Sequence, residues 1–151
     1  MNKSINLGQV DIENFNQTQK FFNEYCYEDD VINDYIDEMI ECTPDEIVLE
    51  PNNEYKLIID YPLTTEYTEK IKTTNKGLSR LDFVNLVCNR YKQIYDIEKN
   101  TSKTKEGYIP GMYNRVKTNG NYGIWGHVLG DLVLHTLYIN ENNVLTFGID
   151  S

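Results

Sequence analysis

One stretch of this chain, residues 78–99, is more tightly specified than any other. Leu78, Ser79, Asp82 and Phe83 form a helix start: an apolar residue, a hydroxyl cap, a carboxylate three residues on and an apolar residue after it. From there Val84, Val87, Cys88, Tyr91, Ile94 and Tyr95 recur at helical spacing, which predicts an amphipathic helix running to about Lys99. The chain contains no Ala, so its helices use residues of lower intrinsic propensity and must be held by packing. Cys88 falls on the apolar stripe and reads as a small buried hydrophobe, since no His lies nearby in sequence to activate a thiolate.

The carboxy-terminal run DLVLHTLYINENNVLTFGIDS changes the period to two. It predicts a β-hairpin with strands at 132–139 and 144–149 and a turn at 140–143. Both alternating sets of the first strand are apolar, which predicts a central strand covered on both faces. The piece EYKLIIDYPL, 54–63, reads as another strand, 64–77 as a polar link that can extend over 66–71, and 1–16 as a loose or edge segment. Helical signals lie at 17–27 and 30–41, and Thr43, Pro44 and Glu46 mark a further helix start that Pro51 ends. The fold expected is a single α+β domain over 1–151, long enough for one ordinary core. It has an acidic helical part at 17–50, one long capped helix and a small antiparallel sheet completed by the hairpin.

Charge is distributed unevenly. The net formal charge is −10, yet residues 1–50 hold 13 acids and 2 bases while residues 51–151 hold 11 acids and 12 bases. In EDDVINDYIDEMIEC the apolar residues recur at helical spacing, and Asp30, Asp34, Asp37, Glu38 and Glu41 fall on the opposite face. Like charges four apart, such as Asp34 and Glu38, cost about 0.2–0.5 kcal/mol per pair, and no Lys lies between Lys20 and Lys56 to relieve them. Relief comes either from the protein's own bases at 56–117 or from a protein partner with a basic surface. Direct binding of nucleic acid through this end would set phosphates against carboxylates.

Between the long helix and the hairpin lie about thirty residues holding six of the nine Gly. Tyr108, Tyr113, Tyr122 and the only Trp, Trp125, alternate with Lys103, Lys105, Arg115 and Lys117, a mixture suited to a peptide or a flat ligand. The same aromatics would also serve as a lid folded back on the core. Gly120, Gly123 and Gly126 are spaced for tight turns and match neither a phosphate loop nor a dinucleotide fingerprint.

His127, Asp131 and His135 are four residues apart, a metal-binding face on a helix. On a strand they would span about 26 Å, too far for one ion. A turn at Gly130 would leave a His127–Asp131 pair, the candidate acid/base set for a small hydrolase. No metal or cofactor is assigned. Three Cys without a C-x-x-C pair suit reduced thiols, no run approaches eighteen apolar residues, and no signal peptide is evident, so an intracellular protein outside the membrane is expected.

The residues YGIWGHVLGDLVLHTLYI, with IIDYPL and LSRLDFVNLVCNRYKQIYDIEK upstream, resemble a pattern in small uncharacterised proteins of large DNA viruses, over roughly residues 55–150. The resemblance implies a host-cell or virion location and carries no activity. The leading expectation is a non-enzymatic interaction or structural module. It would dock through the acidic helix face and the aromatic Gly-rich loop; the alternatives are metal-dependent or acid/base hydrolysis at His127 and Asp131, or binding of a small ligand or nucleotide at Trp125 and Arg115.

Overall fold

A computed structural model of the chain describes residues 2–15, 44–103, 107–108 and 115–151. The described strands are β1 (Lys3–Asp11), β2 (Ile47–Leu49), β3 (Glu54–Ile59), β4 (Tyr67–Lys72), β5 (Leu78–Ser79), β6 (Gly107–Tyr108), β7 (Arg115–Val116), β8 (Val133–Ile139) and β9 (Val144–Asp150). The described α-helix is α1 (Arg80–Thr101), and a 3-10 turn covers Leu129–Asp131.

Five strands form one sheet in the order β1-β8-β9-β3-β4, antiparallel except where β3 runs parallel to β9. Tyr55, Leu57 and Ile59 alternate inward on β3, and Leu134, Leu137 and Leu145 bury the same face of the hairpin. Against that face α1 lays Phe83, Val84, Val87, Cys88 and Tyr91, all essentially buried, with the rings of Phe83 and Phe147 5.9 Å apart. Burial pushes the Cys88 thiol up to about 12, so it stays protonated and unreactive at neutral pH. At the far edge Arg90 grips Glu69 of β4 with two hydrogen bonds of 2.6 and 3.1 Å. That hydrogen bonding holds the Glu69 carboxyl below its ordinary value against the opposing effect of burial.

The helix start follows the sequence. Ser79 is the N-cap, its hydroxyl accepting from the Asp82 N–H at 3.2 Å, and β5 leads straight into it. The hairpin strands also lie where the period places them, and β4 occupies most of the stretch expected to extend.

The expected architecture is otherwise corrected: sheet dominates the described residues, and the five-stranded sheet is mixed. Residues 3–11 form a full edge strand. At 44–49, where a helix start was expected, there is a turn followed by β2. The carbonyls of Glu46 and Pro44 accept from the Arg80 and Leu81 N–H groups at 2.8 and 3.0 Å, so they satisfy the open first turn of α1. The buried Arg80 side chain secures the arrangement by donating to the Asn6 carbonyl at 2.9 Å and pairing with Glu46 at 3.1 Å. The rest of the expected acidic helical part, residues 17–43, lies outside the described residues.

Strand β8 is interior, between β1 and β9, but among the described residues only one of its faces is covered. Leu134 pairs with Ile149 and Thr136 with Gly148, so His135 is an extra residue at a bulge. The bulge reverses the alternation and turns Leu134 and Leu137 to the same core, while Tyr138 is exposed on the other side. A strand with two apolar sets therefore serves one core face. Among the described residues no helix is long and apolar enough to cross a membrane.

Replacing Ser79 by Ala removes the cap and is expected to lower stability by about 1 kcal/mol, read from urea or thermal unfolding, while Ser79→Asp keeps it. Equal stability of Ser79→Ala and the wild type would show that the cap contributes nothing.

Candidate binding site

The site begins on one face of α1. Tyr91, Tyr95 and Glu98 stand four and three residues apart, so their side chains line up along the last turns of the helix. Each buries its polar end in a different loop. The Tyr91 hydroxyl donates to the Tyr61 carbonyl at 2.8 Å and the Tyr95 hydroxyl to the His127 carbonyl at 2.9 Å. Burial, reinforced by Tyr95 and Asp60 nearby, raises the Tyr91 phenol far above its ordinary value and keeps it a neutral donor.

Glu98 organises the third loop. One carboxylate oxygen accepts from the Thr118 hydroxyl and from the Gly120 and Gly123 N–H groups at 2.8 and 3.2 Å; the other accepts from the Tyr122 N–H at 2.7 Å. The residue has 0 % exposure. Burial acts to raise its pKa, but the bonds from Thr118, Tyr122, Gly120 and Gly123 overcome it and hold the carboxyl below its ordinary value. Two glycines make the wrap possible. A Cβ at Gly120 would lie 2.7 Å from the Glu98 carboxyl carbon, and Gly123 adopts φ +63°. Thr118 closes the loop by exchanging backbone and hydroxyl bonds with Ile124, whose N–H reaches the hydroxyl at 2.7 Å.

Trp125 follows directly. Ile124 is fully buried, pairing with Leu63, and the next residue turns out: Trp125 is 60 % exposed, with its N–H donating to the Pro62 carbonyl at 3.1 Å. Tyr61, which precedes Pro62, and Val128, three residues after Trp125, are 40 % and 38 % exposed. The Tyr61 hydroxyl is 3.1 Å from His127 Nε2 and 2.7 Å from the Ser151 hydroxyl, and the Tyr61 and His127 rings lie 5.9 Å apart. These contacts fix Tyr61 and His127 in place.

The 3-10 turn brings Asp131 back on His127, with Nδ1 to Oδ2 at 3.5 Å, while Oδ2 accepts from the Val128 N–H at 3.2 Å. His127 Nδ1 is buried without a hydrogen bond. His135 belongs elsewhere: it lies 3.4 Å from Asp150, against Gly148. The three residues spaced for a metal therefore separate into two pairs, and among the described residues no three His, Cys, Asp or Glu gather as a metal set.

Of the other predicted site residues, Tyr122 is half-buried and packs against the core, so the aromatics divide between lid and surface. Tyr108 and Arg115 are register partners on β6 and β7. Asp30, Asp34, Asp37, Glu38, Glu41 and Tyr113 lie outside the described residues. Glu98 was missed. Its signal was its position: it continues the stripe of Tyr91, Ile94 and Tyr95, and a carboxylate on an apolar stripe needs donors brought to it. Compared with protein-family models, curated proteins and solved structures, the chain matches none, so no relative supplies a role for these residues.

The depressed Glu98 pKa fixes a sign. Its contribution to stability is complete above the ordinary carboxyl value of 4.5 and is lost as pH falls through the lower, folded value. Glu98→Gln turns an amide donor toward one of the loop N–H groups. We expect it to cost about 1–3 kcal/mol at neutral pH and to flatten stability against pH in that acid window, both measured by urea unfolding. Parallel curves for the two proteins would contradict the assignment.

Proposed function

We propose that this chain is a non-enzymatic protein-interaction module that docks through the surface of Trp125, Tyr61 and Val128 onto a protein with a basic surface. The observation that carries the reading is the contrast at one peptide bond, where Trp125 is 60 % exposed beside fully buried Ile124. An indole held out on a loop already fixed by Glu98 costs little to order on binding. Trp and Tyr are also the side chains that most often dominate association energies.

The acid excess supports a basic partner, because 13 acids against 2 bases in residues 1–50 would steer one toward the molecule. Asp60, exposed beside Tyr61 in the chain, adds negative charge there.

Partners captured from the native source by wild type and by Trp125→Ala provide the test. The variant should melt like the wild type, since its side chain is exposed, and should bind the captured partner at least about thirtyfold more weakly, with wild-type affinity falling as salt rises. Unchanged affinity of the Trp125→Ala protein would contradict the reading.

A further inference from the structure

The face of the sheet turned away from α1 carries two rows of side chains that meet on β9, where Thr146 and Val144 stand two residues apart. Register places Ser4 opposite Tyr138, Tyr138 opposite Thr146, Val144 beside Lys56, and Lys56 opposite Lys70. Together the two rows cross all five strands, about 19 Å across the sheet at the usual strand spacing, with a step of two residues along β9. Two depressions lie along them. One, of about 400 Å³, is lined by Lys3, Ser4, Tyr138 and Thr146; the other, of about 460 Å³, by Lys56, Thr68, Lys70 and Asn142. They adjoin at the Val144–Lys56 pair.

The chemistry of these rows differs from that of the chain as a whole. Tyr138 is 44 % exposed on this face. Lys56 and Lys70 stand directly opposite one another, a like-charge pair that the sheet tolerates at a cost. Of the carboxylates bordering the depressions, Glu69 is turned to Arg90 on the inner face, and Glu54 is engaged by Lys70 at 3.3 Å and Lys72 at 3.9 Å. Around the second depression Lys56, Lys70 and Lys72 outnumber Glu54, so the local charge there is positive.

We propose that this outer face binds single-stranded nucleic acid, with a base stacked on Tyr138, phosphates held by Lys56 and by Lys70, which exchanges its bond to Glu54 for the phosphate while Lys72 keeps Glu54 paired, and the Ser, Thr and Asn side chains between them contacting sugar and base edges. A sheet face with an exposed ring accepts unpaired bases, whereas paired bases keep their rings inside a duplex. The surface is distinct from the Trp125 surface.

The test is fluorescence anisotropy of a labelled oligo-dT of about ten nucleotides at about 50 mM salt. Tyr138→Ala should weaken binding at least about fivefold, and Tyr138→Phe, which keeps the ring, should bind like the wild type. Replacing Lys56 and Lys70 together by Gln should reduce the slope of log K against log salt by about 1.4. Trp125→Ala should bind unchanged. The proposal is overturned if wild-type protein does not bind at low salt, if a hairpin duplex binds as tightly, or if Tyr138→Ala and the double Gln variant bind like wild type. It is equally overturned if Trp125→Ala abolishes binding, or if polyglutamate displaces the probe more readily than unlabelled oligo-dT, which would make the face an acidic-peptide surface.

Discussion

A carboxylate removed from water has to be met by donors, and in this protein those donors come from a loop that owes its shape to the encounter. Glu98 is fully buried at the end of α1 and is satisfied by one hydroxyl and three backbone N–H groups of residues 118–123. Leaving a buried carboxylate unpaired costs far more than a hydrogen bond gains, so the loop closes on it or the helix end cannot be buried. The charge stays on the oxygen because the converging hydrogen bonds outweigh the effect of burial.

The same helix face holds the neighbouring segments in the same manner. Tyr91 and Tyr95 place their rings in the core and their hydroxyls on the carbonyls of Tyr61 and His127. Three polar tips on one helix therefore position the residues from which Tyr61, Trp125 and Val128 project. A surface built in this way is ordered before anything binds, which separates an exposed Trp with a role in docking from one at the end of a slack loop. Asp131, 3.5 Å from His127, adds to the support.

The sequence displayed local rules well and distant pairings poorly. Ser79 with Asp82, and the two runs of period two around 140–143, are rules satisfied within a few residues, and the structure follows them. The pairing of β1 with β8 joins Lys3 to Ile139, and that of β3 with β9 joins Lys56 to Val144; no local pattern encodes such partners. The apparent helix start at 43–46 obeys capping chemistry, yet its carbonyls serve the start of a different helix. A single inserted residue, His135, made a strand covered on one face look covered on two. For the site, Trp125 was legible as a residue type, but its exposure depends on Glu98, whose donors are 20 to 25 residues away in sequence.

The negative charge of the whole chain and the local character of its surfaces are separate matters. Residues 51–151 are close to neutral, and within them one surface presents aromatic rings on a fixed loop while another sets lysines and an exposed Tyr along a sheet. Both depend on the core beneath them being complete, and the first depends on Glu98 directly. Amide hydrogen exchange at Gly120, Tyr122 and Gly123 in the free protein tests this most directly. The account predicts slow exchange at all three, released together in Glu98→Gln; exchange at the rate of an unstructured peptide in the wild type would contradict it.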